Sequence, residues 1–396
     1  MTSELNVRRV DLDWLRIGAF ALLILYHVGM FYVGWDWHVN SSRPIEGLAP
    51  VMQFFSPWRL GLLFLISGCA TAFMLRKMSP GALAGSRVKR LLPPLILGIF
   101  VIVPPQSYYE VVEKIAWSEG PLSFYKLYLT GYDGFCRDGS CLVVPIYNHL
   151  WFVAYLLIYV LLLAALLRMD KSLIERLRQV SERHLSGWGI LLWPWLILAL
   201  CRWTLGAYFP PTNYLVDDWY NHALYFSLFA IGVVLARCDQ PWADLVRHRW
   251  LTLVLGIAAS AATAFYLDHY QQLGTHPPLW QRFTMRGVTA LQQWMMIAAA
   301  LGWGHMLLRR DGPVRRYLTD AIFPYYIAHQ TIIVVAAFYL PRLGLPVGLE
   351  AALLLAITLL GCAATYELVR RVGWLRPWFG LKREETRKIS DPLPAV

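Results

Sequence analysis

Apolar runs of about 18–25 residues recur along this chain, separated by short charged segments, which is the period of bilayer crossings. Ten such segments can be drawn, at 14–33, 51–75, 91–108, 150–167, 188–208, 223–236, 251–267, 285–308, 321–340 and 347–368. The composition agrees: 57% of the 396 residues are hydrophobic and only 15% are charged, against roughly 25% charged in a soluble domain. A soluble globular protein is excluded on this balance, and 18 Trp, 21 Tyr and 18 Phe exclude a disordered chain. The expected fold is all-α: a polytopic membrane protein of about ten transmembrane helices.

An even number of spans puts both termini on one side, so the Lys and Arg residues can be assigned to alternate faces. One face collects 27 of the 36, from Arg8, Arg9 and Arg16 through the 76–90, 168–183, 237–249 and 309–316 segments to the stretch from Arg370 to Lys388. The opposite face holds Arg43, Lys114, Lys126, Arg137, Arg282 and Arg342, while Arg59, Arg202 and Arg286 fall inside or at the edge of spans. The basic face, and with it both termini, is therefore expected to be cytoplasmic. The net charge of +11 is spread over five loops and a tail instead of forming one groove, which argues for anionic lipid as its partner and against nucleic acid.

The domain organisation follows: residues 1–13 are a cytoplasmic N-terminus, 14–368 a single integral-membrane domain, and 369–396 a basic cytoplasmic tail. The first span has no small-x-small cleavage site and reads as a retained helix. The longest outside segment contains FCRDGSC, where Cys136 and Cys141 flank an Asp-Gly turn and a disulfide is sterically open to them. No His or Cys pair at ligand spacing accompanies them, so no metal site is expected.

Ionisable groups within hydrocarbon are costly, so each is a functional candidate facing the bundle interior or a water-filled cavity. In the first span Arg16 and His27 are eleven residues apart; at 100° per residue they share one helix face, about 16 Å apart along the axis. Imidazole is the side chain best matched to take a proton near neutral pH, and His27 is set among Ile24, Leu25, Tyr26, Val28 and Met30. Arg59 lies in the second span, followed by Ser67 and Gly68. His149 and Trp151 open the fourth, and His329 and Glu367 stand in the ninth and tenth. In the second basic loop Arg87 and Arg90 are one helical turn apart just before a span, a spacing suited to clamping phosphate. Neither a Walker string, nor a dinucleotide glycine fingerprint, nor a serine-hydrolase elbow occurs.

These residues together resemble the membrane acyltransferase family 3, and within it the branch of glucan-modifying succinyltransferases. The resemblance rests on LDWLRIGAFALLILYH, with Asp13, Arg16 and His27 in place, and on WHVNSS at 37–42. It extends to Arg59 with FLISG, the RVKR pair Arg87 and Arg90, HLWF at 149–152, YIAH ending at His329, and Tyr366-Glu367. One departure is Cys69, where the family often has an aromatic residue.

The resemblance implies transfer of an acyl group, succinyl first and otherwise acetyl, from cytoplasmic acyl-CoA to hydroxyls of a periplasmic glucan or related envelope carbohydrate, at a bacterial inner membrane. It implies no tightly bound cofactor, with succinyl-CoA favoured as co-substrate. His27 is then a general base or an acyl carrier, assisted by Arg16 and Asp13. Arg16, Arg87, Arg90, Arg59 and Ser67 are expected to bind the CoA ester, Arg59 alternatively meeting an oxyanion or the carboxylate of a succinyl group. His38, Asn40, Trp37, His149, Trp151, His329 and Glu367 are expected to face the acceptor. A homo-oligomer is left open. The competing class is a polytopic glucan exporter or proton-coupled transporter, which also sets His, Arg and Glu inside spans.

Overall fold

The computed structural model describes residues 8–383 and is helical almost throughout. The element order is α1 (Val10–Tyr32), α2 (Leu48–Phe55), α3 (Arg59–Leu75), α4 (Pro80–Leu97), α5 (Pro104–Ile115), α6 (Pro121–Leu129), α7 (Trp151–Met169), α8 (Leu173–His184), α9 (Gly189–Thr204), α10 (Trp219–Leu235), α11 (Gln240–Arg247), α12 (Arg249–Leu273), α13 (Leu279–Leu307), α14 (Pro313–Tyr339) and α15 (Val347–Arg371). The only sheet among the described residues is a hairpin of β1 (Cys136–Arg137) and β2 (Ser140–Cys141), closed by a Cys136–Cys141 disulfide.

Local chemistry sets several of these boundaries. Proline stands in the first turn of α4, α5, α6 and α14, where a missing N–H loses nothing. Ser79 caps α4 by accepting from the Ala82 amide. The Pro93-Pro94 pair lies inside α4, and the chain passes through a π-helical turn, Gly98–Ile102, before Pro104 restarts the helix as α5.

Each of the ten expected spans falls on helix, eight of them on a single one; 51–75 covers α2 and α3, and 91–108 covers the end of α4, the π-helical turn and the start of α5. Eight segments are long and apolar enough to cross a membrane, and α10 joins them when counted with α11, which follows it at a bend of 111°. The remaining one, α13, is 29 residues long, but Gln292, Gln293 and its glycines dilute its apolar character. It is nevertheless central, packing along α12, α9 and α1. Its polar groups face protein: Gln292 and Gln293 are both buried.

Side-chain ties show which ends share a face. At the start of α1, Trp14 Nε1 donates to the Arg310 carbonyl (3.0 Å), Asp11 accepts from His305 Nδ1 (2.8 Å), and Asp13 pairs with Arg315 (2.5 Å). The start of α1 therefore lies beside the end of α13 and the start of α14. The turn at Arg376–Phe379, after α15, packs on α4 and α14 at the same end. On the far side, Tyr32 at the end of α1 donates to Glu350 at the start of α15 (3.2 Å), and Arg43 pairs with the same buried carboxylate (2.7 Å). Both described ends of the chain thus lie on the basic side.

Small residues let two central helices meet backbone to backbone. A Cβ on Gly68 of α3 would stand 2.0 Å from the Phe229 carbonyl oxygen of α10, and one on Gly232 of α10 would stand 2.0 Å from that of Leu65 in α3. The α3–α10 pair, with α1, α7, α13 and α14, surrounds the space in which the ionisable residues meet.

Candidate active site

Two cavities lie end to end within the bundle. The outer chamber, of about 500 Å³, is lined by His27, Trp37, Arg59, His149, Trp151 and Arg202 among others, with Tyr26, Tyr220, Asn221, Tyr225 and Tyr326 completing its polar and aromatic wall. The inner cavity, about 230 Å³, opens among Arg16, Ser67, Arg87, Arg90, Thr319 and the apolar side chains between them. Neither has an Asp or Glu in its lining.

Phe152 borders both cavities. It belongs to an aromatic cluster with Phe20 (edge-to-face, 6.3 Å), Phe64 (4.5 Å) and Tyr326 (6.0 Å), and Phe20 also meets Tyr326 at 5.3 Å. These rings form a partition, one side chain thick at Phe152. The Arg16–His27 spacing along α1 spans it, because Arg16 is on the inner cavity and His27 on the outer chamber.

A chain of hydrogen bonds fixes the protonation pattern of the central imidazoles. His329 Nδ1 lies 2.7 Å from the Tyr326 carbonyl oxygen, which can only accept, so Nδ1 carries the proton and Nε2 a lone pair. That Nε2 is 2.8 Å from His27 Nδ1, which must then donate. His27 is left with Nε2 as an unprotonated acceptor while its ring borders the chamber, nearly parallel to Trp37.

A second layer of amides holds this arrangement. His149 Nε2 donates to the Ile327 carbonyl (3.1 Å), and Tyr326 donates its hydroxyl proton to the His149 carbonyl. Gln106, fully buried, donates to Thr331 (2.7 Å) and accepts from Asn148 and Gln330 (both 3.1 Å). Gln330 also donates to His38 Nε2 (2.8 Å), whose Nδ1 donates to Glu110 (2.5 Å). Residues from α1, α5, α14 and the 148–150 turn that leads into α7 are thereby locked to one another around His27.

The inner cavity brings together Arg16, Arg87, Arg90 and Ser67. The Nε atoms of Arg16 and Arg87 are buried without a partner, which leaves donors for an incoming anion. Asp13 is not at His27: fourteen residues earlier on α1, it is about 21 Å away along the axis. It instead bridges Arg315, Arg8 and, at 3.9 Å, Arg16. Arg315 is fully buried and also bonds Asp311, holding that carboxyl below the usual carboxylate range.

Arg59 departs from the expected CoA set. It lines the outer chamber, its guanidinium 3.4 Å above the Tyr26 ring and Nη1 donating to the Ser56 carbonyl (3.0 Å). Trp37, His149 and Trp151 line the same chamber; His329 stands directly behind His27. His38 is behind Trp37 and acts through Gln330. Asn40 bonds the backbone at Trp35 and Trp37, which folds the outer loop on itself, and its own backbone N–H donates to Glu113 of α5. Glu367 is on neither cavity, being paired with Tyr317, Arg370 and Arg371 near the basic end of α15. The sequence pattern passed over Tyr326, Gln106 and Gln330 as site residues. For Tyr326 and Gln330 the one signal is a hydroxyl or amide close to a histidine in the PYYIAHQ string, and for Gln106 an amide inside an apolar span.

With this geometry in view, comparison defines the class. The acyltransferase domain of the acyltransferase 3 family matches residues 9–367, and the chain belongs to that family: it is a membrane acyltransferase. Among curated proteins it is similar to "Glucans biosynthesis protein C" of Escherichia coli strain SMS-3-5 / SECEC, 24% identical over 98% of both chains. The proteins of the same name in E. coli O9:H4 strain HS and strain SE11 are each 23% identical, again over 98% of both chains. No solved structure matches.

Proposed function

We propose that the chain transfers a short acyl group, succinyl in the first instance and otherwise acetyl, from acyl-CoA at its basic, cytoplasmic face to a hydroxyl of a glucan or related envelope carbohydrate on the far side of a bacterial inner membrane. The observation that carries this reading is the place of His27: its ring borders the outer chamber while Nδ1 is taken by His329, which leaves Nε2 as the acceptor, and behind the Phe152 partition lies a cluster of arginines with donors to spare.

On this reading Arg16, Arg87 and Arg90 hold the phosphates of CoA by charge-assisted hydrogen bonds. Phosphates cannot enter hydrocarbon, but the slender pantetheine arm can run from them past Phe152, and the roughly 16 Å between Arg16 and His27 is of that order. The acceptor hydroxyl then stands in the chamber beside His27, with Trp37 and Trp151 offering apolar faces to a sugar ring. As the hydroxyl oxygen attacks the thioester carbonyl, its proton passes to His27 Nε2. The carbon–sulfur bond breaks, an ester forms, and the same proton neutralises the departing thiolate. The His27 Nδ1–H bond to His329 steadies the ring while its charge appears. A covalent acyl-imidazole route uses the same lone pair as nucleophile.

The test is mass spectrometry of periplasmic glucans from cells with the intact gene, a deletion, and His27→Ala at equal membrane abundance. The expected result is an acyl mass increment that vanishes in both mutants while unmodified glucan persists outside. Glucan missing from the outside would make the protein a transporter and overturn the reading.

A further inference from the structure

The outer chamber holds two guanidinium groups and no carboxylate. Arg59 is 7% exposed and Arg202 enters the same chamber from α9; the Nε of each is buried with no partner. Around them stand Tyr26, Tyr220, Tyr225 and Asn221, aromatic and amide side chains that carry no charge, so a buried cation among them is expensive to leave unmatched. The two arginines are held rather than wandering. Arg59 is fixed by the Tyr26 ring and the Ser56 carbonyl, and Arg202 Nη2 donates to Gln293 Oε1 (2.8 Å). Gln293 is itself fully buried, and its amide nitrogen abuts Gly61, two residues beyond Arg59 on α3, where a Cβ would stand 3.2 Å away. The sites of the two arginines are thus coupled through one side chain of α13.

Two fixed, partly unpartnered guanidinium groups in an acid-free pocket are the recognition element for a carboxylate. We propose that Arg59 and Arg202 are specificity-determining residues that bind the free terminal carboxylate of the transferred acyl group, so that the enzyme selects short dicarboxylic monoacyl donors over neutral ones of equal length. This rests on the acyl-transfer reading and goes beyond it by assigning acyl choice to two residues. The terminal carboxylate takes no part in bond making; it stays ionised between the arginines while the thioester end meets His27.

The experiment measures kcat/KM of the purified full chain in lipid with succinyl-CoA and with butyryl-CoA, which has the same four-carbon length and a neutral end, using a glucan acceptor. The expected result is a preference for succinyl in the wild type that falls at least tenfold in Arg59→Gln and in Arg202→Gln, and is largely restored by Arg202→Lys. Parallel loss of both donors would assign the arginines to the oxyanion or to packing and overturn the proposal. Should the variants fail to fold, thermal stability of the wild type with each donor replaces them, and equal stabilisation by succinyl-CoA and butyryl-CoA overturns it. A wild type that transfers butyryl as well as succinyl, in a His27-dependent way, would overturn this inference and leave acyl transfer standing; transfer of neither would remove both.

Discussion

His27 and His329 form a unit in which one imidazole sets the tautomer of the other, and the Tyr326 carbonyl sets both. Losing His329 leaves His27 Nδ1 without its acceptor, so the proton is free to sit on either ring nitrogen. His329→Ala is therefore expected to lower kcat about 10–100-fold with the donor KM little changed, a share of the ~10²–10⁴-fold usual for a positioned base. Steady-state kinetics in lipid checks this, and a pure KM effect would assign His329 to binding. Arg87→Ala is expected to do the opposite, raising the donor KM about tenfold or more, since a charge-assisted hydrogen bond contributes about 1.5–3 kcal/mol, with kcat largely kept. At this scale His27 and Arg16 were legible because a charge or imidazole in an apolar run has few structural excuses and their spacing is local. Gln106, Gln330 and Tyr326 were not, because their partners lie in other helices and no local spacing reports a contact across 200 residues of chain. Arg59 and Glu367 show the converse limit: their types were recognised, but which cavity each faces, or that Glu367 faces none, depends on packing.

The helices themselves follow from apolar run length and from proline at first turns; most boundaries fell within a turn or two of those read from the sequence, but α4 begins at Pro80, eleven residues before the expected start at 91, and α14 at Pro313, eight before 321, because their polar first turns carry no apolar signal. The exception in kind is α13, whose glutamines would be costly against lipid; α12, α9 and α1 cover the helix, Gln292 Nε2 donates to the Gln53 and Phe54 carbonyls and Gln293 Oε1 accepts from Arg202, while Gln292 Oε1 and Gln293 Nε2 are buried without a partner. Close approach of α3 and α10 is equally a matter of helix pairs. Ser67-Gly68 alone reads as generic small-residue packing, and only the reciprocal contact with Gly232 shows how tight it is. Gly232→Ala must push the Leu65 backbone away, and overpacking of this kind costs about 1–3 kcal/mol. A thermal midpoint lowered by several degrees in detergent is the expected outcome, together with reduced activity because Arg59 and Ser67 sit on the displaced helix. An unchanged midpoint would mean the two helices part without cost.

The whole molecule is a bundle with a basic face carrying the arginine cavity and an opposite face carrying the disulfide hairpin and the outer loops. The excess of Lys and Arg on alternate loops made this division readable from the sequence, because orientation leaves its mark on composition. The partition at Phe152 left no such mark, since an aromatic residue in a span is ordinary. Sidedness is open to direct labelling. Ser118→Cys, after α5, is expected to react with a membrane-impermeant maleimide in spheroplasts, and Ser172→Cys, before α8, only after permeabilisation; both positions are exposed. The reverse pattern would invert the topology.

The central claim is that an acyl donor held on the arginine face reacts at His27 on the other side of the partition. The most direct measurement uses proteoliposomes of known orientation, with acyl-CoA supplied to one face, glucan to the other, and ester formation followed by mass spectrometry. The account predicts product only when acyl-CoA meets the face of Arg16, Arg87 and Arg90 and glucan the face of the outer chamber, and none with His27→Gln. Ester formed equally from either arrangement, or undiminished in His27→Gln, would contradict it.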